Sequence, residues 1–324
     1  MSGRYLTRQV ASAIVTIVMI VLVNFVLFRL MPGSPERALL RSPHINPQVL
    51  AEKRAQWGLD KPLFPDQLVD YVAATAQGDL GFSIKFEGEP VVDVLATHLG
   101  PTLLLFGLGE ILAAIIGLTL GAYTGWRRGG PIDLAGNGVS LILYSMPYFV
   151  IGMALLVVFS TTLGWFPASG MSTLGAQYSG PFDQAIDFLA HFTLPLVTVT
   201  IGLVGQYSIL MRSSIIETLR EDYVTTARAK GLREGRILRS HALPNALLPA
   251  VTLVAINLGY VVAGAITVEV VFNWPGLGSL TVDALTARDY PLLQGAFLLL
   301  SVTVVAANLI ADILYGFLDP RVRT

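Results

Sequence analysis
Six stretches of about twenty nearly uncharged residues limit what this chain can fold into, because an α-helix of that length spans the hydrocarbon layer of a bilayer. They run from Val10 to Leu30, Leu99 to Trp126, Leu134 to Thr161, His191 to Met211, Ala246 to Phe272 and Leu292 to Phe317. One soluble core has no use for so much apolar surface: 53% of the 324 residues are hydrophobic, 13% are charged, and the mean hydropathy is +0.65. The predicted fold class is therefore all-α, a polytopic membrane protein of six transmembrane helices. Arg4 and Arg8 precede the first stretch as they would in a signal peptide. Its apolar run is longer than a normal signal core, and no small-residue cleavage pattern follows, which predicts an uncleaved first span.

Orientation follows from where the cations fall. Arg4 and Arg8, then Arg127 and Arg128, then Arg212, Arg220, Arg228, Lys230, Arg233, Arg236 and Arg239, and finally Arg321 and Arg323 all lie on one side of the predicted spans. The opposite short loops hold no Lys or Arg between Thr162 and Ala190 and only Arg288 between Asn273 and Pro291. The positive-inside bias then predicts a multi-pass protein with both termini cytoplasmic. The chain divides into residues 1–31 with the first span, an extracytoplasmic insertion over 32–98, and a domain over 99–324 that carries a cytoplasmic loop at 212–245. The insertion mixes charges with aromatics, as in Trp57-Gly58-Leu59-Asp60-Lys61-Pro62, and has enough apolar residues to pack as a small outer-face unit. A net charge of -1 says nothing about partners, and the absence of cysteine excludes disulfides, thiolate metal sites and cysteine nucleophiles.

The cytoplasmic loop reads as two short helices broken at Gly231 and stopped at Pro244. Leu219, Tyr223 and Ala227 recur every four residues and predict a narrow apolar stripe, with Arg220, Glu221 and Arg228 elsewhere. The small Ala227 and Ala229 permit close approach of a partner backbone, and Gly231 supplies a left-handed turn. Such a segment is either a docking helix or an ordinary basic loop.

Here the sequence resembles a known family. Asp222-Tyr223-Val224-Thr225-Thr226-Ala227-Arg228-Ala229-Lys230-Gly231-Leu232, followed by His241-Ala242-Leu243-Pro244-Asn245, is similar to the coupling loop of ABC importer permeases. Ala227, Gly231, Leu243 and Pro244 match the family's pattern, and Thr225, Thr226 and His241 depart from it toward the peptide-permease branch. Met31-Pro32-Gly33-Ser34-Pro35, Gly58-Leu59-Asp60-Lys61-Pro62, Gly78-Asp79-Leu80-Gly81, Gly164-Trp165-Phe166-Pro167-Ala168-Ser169-Gly170, Phe272-Asn273-Trp274-Pro275-Gly276-Leu277-Gly278, Arg288-Asp289-Tyr290-Pro291 and Leu318-Asp319-Pro320-Arg321 extend the resemblance along the whole chain. They resemble the first of the two permeases in dipeptide, oligopeptide and nickel importers. The resemblance implies peptide translocation by alternating access, driven through the Asp222 to Gly231 helix. It also implies a second homologous permease, two ATP-binding subunits or one fused chain, and an extracytoplasmic solute-binding protein. This chain would bind no cofactor itself, with ATP and Mg on the ATP-binding partners. Nickel, glutathione or sugars are alternative cargoes.

Polar groups inside a membrane are costly and face a cavity or another helix. Glu110, Glu269 and Asp312 are the ionisable ones, with Asn24, Gln206, Asn257 and Asn308 beside them in the predicted spans. Gln206, Asn257, Glu269 and Asn308 are the candidates for a substrate path. Glu269, just before Phe272-Asn273-Trp274-Pro275-Gly276, is open to a second reading as a carboxylate paired within the bundle, and Asp312 is read as structural. Gly117, Gly121 and Gly125 repeat every four residues and predict close helix packing. Pro147 and Pro195 are candidate bends.

Other chemistries find little support. No Gly-x-x-x-x-Gly-Lys-Ser/Thr run is present, so an ATPase phosphate loop is missing and this chain is not predicted to be an enzyme. Gly276-Leu277-Gly278 lacks a dinucleotide-site setting. Ser169 and His191 would make a hydrolase only within hydrogen-bond reach of each other. His44, His98, His191 and His241 lack zinc-like spacing. An ion-coupled secondary transporter using Glu110 and Glu269 is the rival reading, membrane lipid is an expected contact, and no nucleic-acid signal is present.

Overall fold
The computed structural model describes residues 3–30, 61–260 and 266–318. Motifs at 31–60 and 319–324, including Met31 to Pro35, Trp57 to Asp60 and Asp319 to Arg321, lie outside the described residues. The helices are α1 (Gly3–Leu30), α2 (Leu68–Ala76), α3 (Val91–Trp126), α4 (Pro131–Ser145) and α5 (Tyr148–Leu155). They continue as α6 (Pro181–Thr218), α7 (Asp222–Ala229), α8 (Glu234–Ile237), α9 (Leu243–Tyr260), α10 (Ile266–Val271), α11 (Leu277–Ala287) and α12 (Tyr290–Leu318). Among the described residues there is no strand, only one isolated bridge between Phe82 and Pro90.

Four helical stretches are long and apolar enough to cross a membrane: Tyr5–Arg29, Val91–Trp126, Pro181–Thr218 and Tyr290–Ile310. The expected third span is a bent pair, α4 with α5 and the π-helical turns that extend α5 to Thr162, broken by 101°. Met146 is extended there and Pro147 caps α5, so the predicted bend is real. Pro195, by contrast, lies buried inside an unbroken α6. The stretch expected as the fifth span falls on α9 and α10, on either side of residues 261–265. By length and apolarity the described residues therefore hold four crossing helices, or five with the bent pair, where six were expected.

The longest elements overrun their apolar windows. α6 has 38 residues, about 57 Å at the α-helical rise, and α3 starts at Val91 rather than Leu99. These two helices run parallel and nearly touch. A β-carbon built on Gly117 would lie 2.7 Å from the Val204 carbonyl oxygen, and one on Gly121 would lie 2.3 Å from that of Ser208. The glycine stripe thus does what its spacing predicted: it lets two backbones approach without side chains between them. Asn24 of α1 ties the first helix to the rest, donating to the Tyr71 hydroxyl and to the Gln294 carbonyl. The other flanks of α1 expose Ile14, Val15, Val18 and Met19, as a lipid-facing helix does.

Candidate coupling site and polar interior
At the end of α6 the helix phase is broken. Leu219 to Glu221 form a turn, Glu221 is extended, and α7 restarts at Asp222 with an acid in its first turn and Arg228 in its last, matching the helix dipole. The buried residues of α7 are Val224 and Ala227, which form a small core with Ile237 of α8 and with the partly buried Leu219 and Leu232. Tyr223 is 41% exposed, so the predicted Leu219–Tyr223–Ala227 stripe is corrected: Val224 replaces Tyr223 in it. Ala227 is covered by the loop's own core and is not open to an incoming backbone. Gly231 takes a φ of +75°, the left-handed turn its type predicted, and Arg228 Nε donates to Glu234 Oε1 at 3.0 Å across it. The chain is thereby folded into a compact hairpin of short helices.

The far side of α7 presents Asp222, Tyr223, Thr225, Thr226, Arg228, Ala229 and Lys230 to solvent. Thr226 bonds its hydroxyl back to the Asp222 carbonyl, and the Tyr223 phenol meets the Asn245 side chain at the start of α9. Leu243 packs on a second core of Met211, Ile215, Ala242 and Ala246, which Leu219 and Leu238 also touch. Leu219 therefore belongs to both cores and joins α7 to the end of α6. The His241 carbonyl accepts from Asn245 Nδ2 at 2.7 Å, and Pro244 sits exposed in a helical run that continues from Glu234 through a π-helical turn at Leu238–Ala242 into α9, so the expected stop at Pro244 is corrected: the helix passes through it. Val224 and Ile237, which organise this site, are not among the residues that the spacing assigns to the apolar stripe. Apolar side chains in a basic loop were the available signal.

The four substrate-path candidates occupy separate settings. Asn257 of α9 donates to the Tyr207 hydroxyl of α6 at 2.9 Å, and that hydroxyl bonds to Glu110 of α3, so a polar triad ties three helices together. Gln206, the residue before Tyr207 on α6, is half-buried. Asn308 lines a shallow cleft between α1 and α12 with Gln9, Ser12, Thr16 and Asp312. Glu269 is fully buried. Its Oε1 accepts from the Thr102 hydroxyl at 2.7 Å and its Oε2 from the Ser279 amide at 2.9 Å, with the Gly278 amide also bonded to the carboxylate. Of the two readings of Glu269, the geometry bears out pairing within the bundle: the carboxylate caps the N-terminus of α11. A side chain at Gly276 would collide with it, since a β-carbon there would lie 2.1 Å from Oε1. Nearby, Trp274 is buried against Phe192, and its indole donates to the Pro101 carbonyl at 3.1 Å. Asp289 is a further buried carboxylate, bonded to the Ser83 hydroxyl and to the amides of Ile84, Lys85 and Leu292. His191 Nδ1 lies against the Asp187 carbonyl at 2.8 Å.

Crossing-length helices, a polar triad at their centre and a helical hairpin at the end of the longest one define a multi-pass, all-helical membrane protein. It belongs to the family of binding-protein-dependent transport system inner membrane components, whose model matches residues 117–324; the model of the family's N-terminal region matches residues 2–92. A protein of Brucella suis biovar 1 named as a peptide permease is 39% identical over 326 residues, covering 99% of both chains. The di/tripeptide transport system permease protein DppB of Pseudomonas aeruginosa is 37% identical over 98% of both. The glutathione transport system permease protein GsiC of Salmonella typhimurium is 37% identical, also over 98% of both. In fold, the chain is similar to the inward-facing MetNI methionine ABC transporter, with a TM-score of 0.57, 18% identity, and coverage of 72% of this chain and 99% of the other.

Proposed function
We propose that this chain is the first permease subunit of an ATP-driven importer that moves di- or oligopeptides across the cytoplasmic membrane by alternating access. Relatives named for peptide transport, similar over nearly their whole length, support the cargo. The observation that carries the mechanism is the amphipathic α7, locked to α6 through Leu219 on one side and presenting a polar face to solvent on the other. An ATP-binding subunit seated on Asp222, Tyr223, Thr226, Arg228, Ala229 and Lys230 would push on a helix that cannot slip, because the Val224–Ala227–Ile237 core and the Gly231 turn hold it. His241, Leu243 and Pro244 would pass that displacement into α9. Gln206, Asn257 and Asn308 are proposed to line the path, whereas Glu269 holds α11.

The assembly comprises this chain, a second homologous permease, two ATP-binding subunits or one fused chain, and an extracytoplasmic binding protein. The distribution of Arg and Lys supports a cytoplasmic location for both termini and α7. ATP and Mg belong to the partner subunits, and this chain performs no chemistry. The rival ion-coupled mechanism needs carboxylates free to exchange protons, while those of Glu110 and Glu269 are engaged by Tyr207 and by Thr102 and Ser279. Uptake of radiolabelled di- and tripeptides by the reconstituted complex tests the proposal. Uptake that requires ATP and binding protein supports it, and uptake driven by an ion gradient in their absence refutes it.

A further inference from the structure
Among the described residues, Arg212 and Asp133 make an ion pair unlike the other Lys and Arg pairs. Lys61–Asp70, Lys85–Asp283 and Arg228–Glu234 are exposed, whereas Asp133 is 4% exposed. Arg212 lies on α6, one and a half turns before its end, and Asp133 lies in the first turn of α4. The contact is a two-pronged fork, with Nε to Oδ1 at 2.6 Å and Nη2 to Oδ2 at 2.9 Å. The Gly129 amide, in the left-handed turn between α3 and α4, donates to the same Oδ2 at 2.9 Å. A planar guanidinium and a carboxylate joined in this way fix orientation as well as distance.

The pair begins a seam along which α6 grips the bent helix pair. Next along it, the Ser140 hydroxyl donates to that of Ser208 at 2.8 Å. Then Gly205 meets the backbone of Ser140 and Tyr144, and Gly202 lies under the ring of Tyr148, the first residue beyond the 101° bend. Both limbs of the bend therefore rest on α6, and the only charged link in the seam stands at the end nearest α7. Arg212 is also the residue after Met211, a member of the core shared with Leu219 and Leu243. We infer that Arg212 and Asp133 are positioning residues of the transport cycle, a fork that makes α4 and its bend follow α6 when α7 is displaced. This rests on the proposed coupling through α7.

The test uses the complete transporter, purified from native membranes, in proteoliposomes with its binding protein and radiolabelled trialanine. The readout is trialanine taken up per ATP hydrolysed. Removing one partner strands a buried charge and can cost folding, so both are replaced by neutral near-isosteres, Asp133→Asn with Arg212→Gln. The expected result is an assembled complex with wild-type ATP turnover and about a fivefold lower uptake per ATP, as a lost inter-helix coupling would give. Wild-type uptake per ATP in this double variant overturns the inference. If the double variant does not assemble, Arg212→Lys, which keeps the charge and breaks the fork, is read in the same way: reduced uptake per ATP upholds the inference and wild-type uptake overturns it. A wild-type complex that ATP and binding protein fail to drive would instead refute the proposed function.

Discussion
Replacing Gly121 by alanine puts one methyl group into the close seam between α3 and α6. Its β-carbon would lie 2.3 Å from the carbonyl oxygen of Ser208, 2.8 Å from Cβ of Met211 and 3.0 Å from the amide nitrogen of Arg212. Two of these three atoms are backbone, so no rotamer change relieves the clash. α3 and α6 must move apart, and the contacts at Gly117 and Gly125 loosen with them. Overpacking of this kind costs about 1–3 kcal/mol, and the backbone character of the obstacle argues for the upper part of that range. The matched control lies on the same helix: a β-carbon at Gly107 meets nothing within 4 Å, and alanine there gains helix propensity of up to ~1 kcal/mol. Thermal melts of the purified complex should show Gly121→Ala unfolding several degrees below wild type and Gly107→Ala at or above it. Gly121→Ala melting with wild type, or Gly107→Ala falling equally far, would refute the packing argument.

The cytoplasmic hairpin and the outer cap make separate predictions. Val224→Asp places a carboxylate in the core of Ala227, Ile237, Leu219 and Leu232, and should reduce ATP-driven uptake at least about tenfold while the chain remains in the membrane; wild-type uptake would show that this core does not matter. Gly231→Pro imposes a negative φ where the chain needs +75°, and should abolish uptake with membrane insertion intact, which immunoblots of membrane fractions and uptake assays check together. Glu269→Ala strands the Thr102 hydroxyl and two amides of α11 at about 1–3 kcal/mol each, so the amount of folded protein should fall sharply, and less so for Glu269→Gln; full yield of the alanine variant would contradict the capping role.

Much of the membrane architecture is legible in hydropathy, and the errors have specific causes. The windows for α3 and α6 start late because Asp93, Asp183 and Asp187 depress the local average, although their helices continue through those residues. Pro147 and Pro195 are alike in sequence, but only Pro147 follows an extended residue, Met146, and no pattern distinguishes a proline that ends a helix from one that a neighbouring helix supports. In the loop, the four-residue spacing of Leu219 and Tyr223 misleads because a turn separates them and resets the helical phase, so Val224 faces inward instead. The Glu269 cap was invisible for a different reason: its donors, Thr102 and the α11 amides, come together only when α3, α10 and α11 meet. The same holds for Arg212 and Asp133, which are far apart in sequence and individually ordinary.

The central claim, that an external subunit drives this chain through α7, is most directly tested with a cysteine at Thr226, since the natural sequence contains no cysteine. Thr226 is exposed on the outer face of α7 and its substitution leaves the Val224 core untouched. Thr226→Cys should crosslink to the ATP-binding subunit, resist membrane-impermeant maleimides added outside intact cells, and lose ATP-driven uptake when crosslinked. Labelling from outside the cell, or full uptake by the crosslinked complex, would contradict the claim.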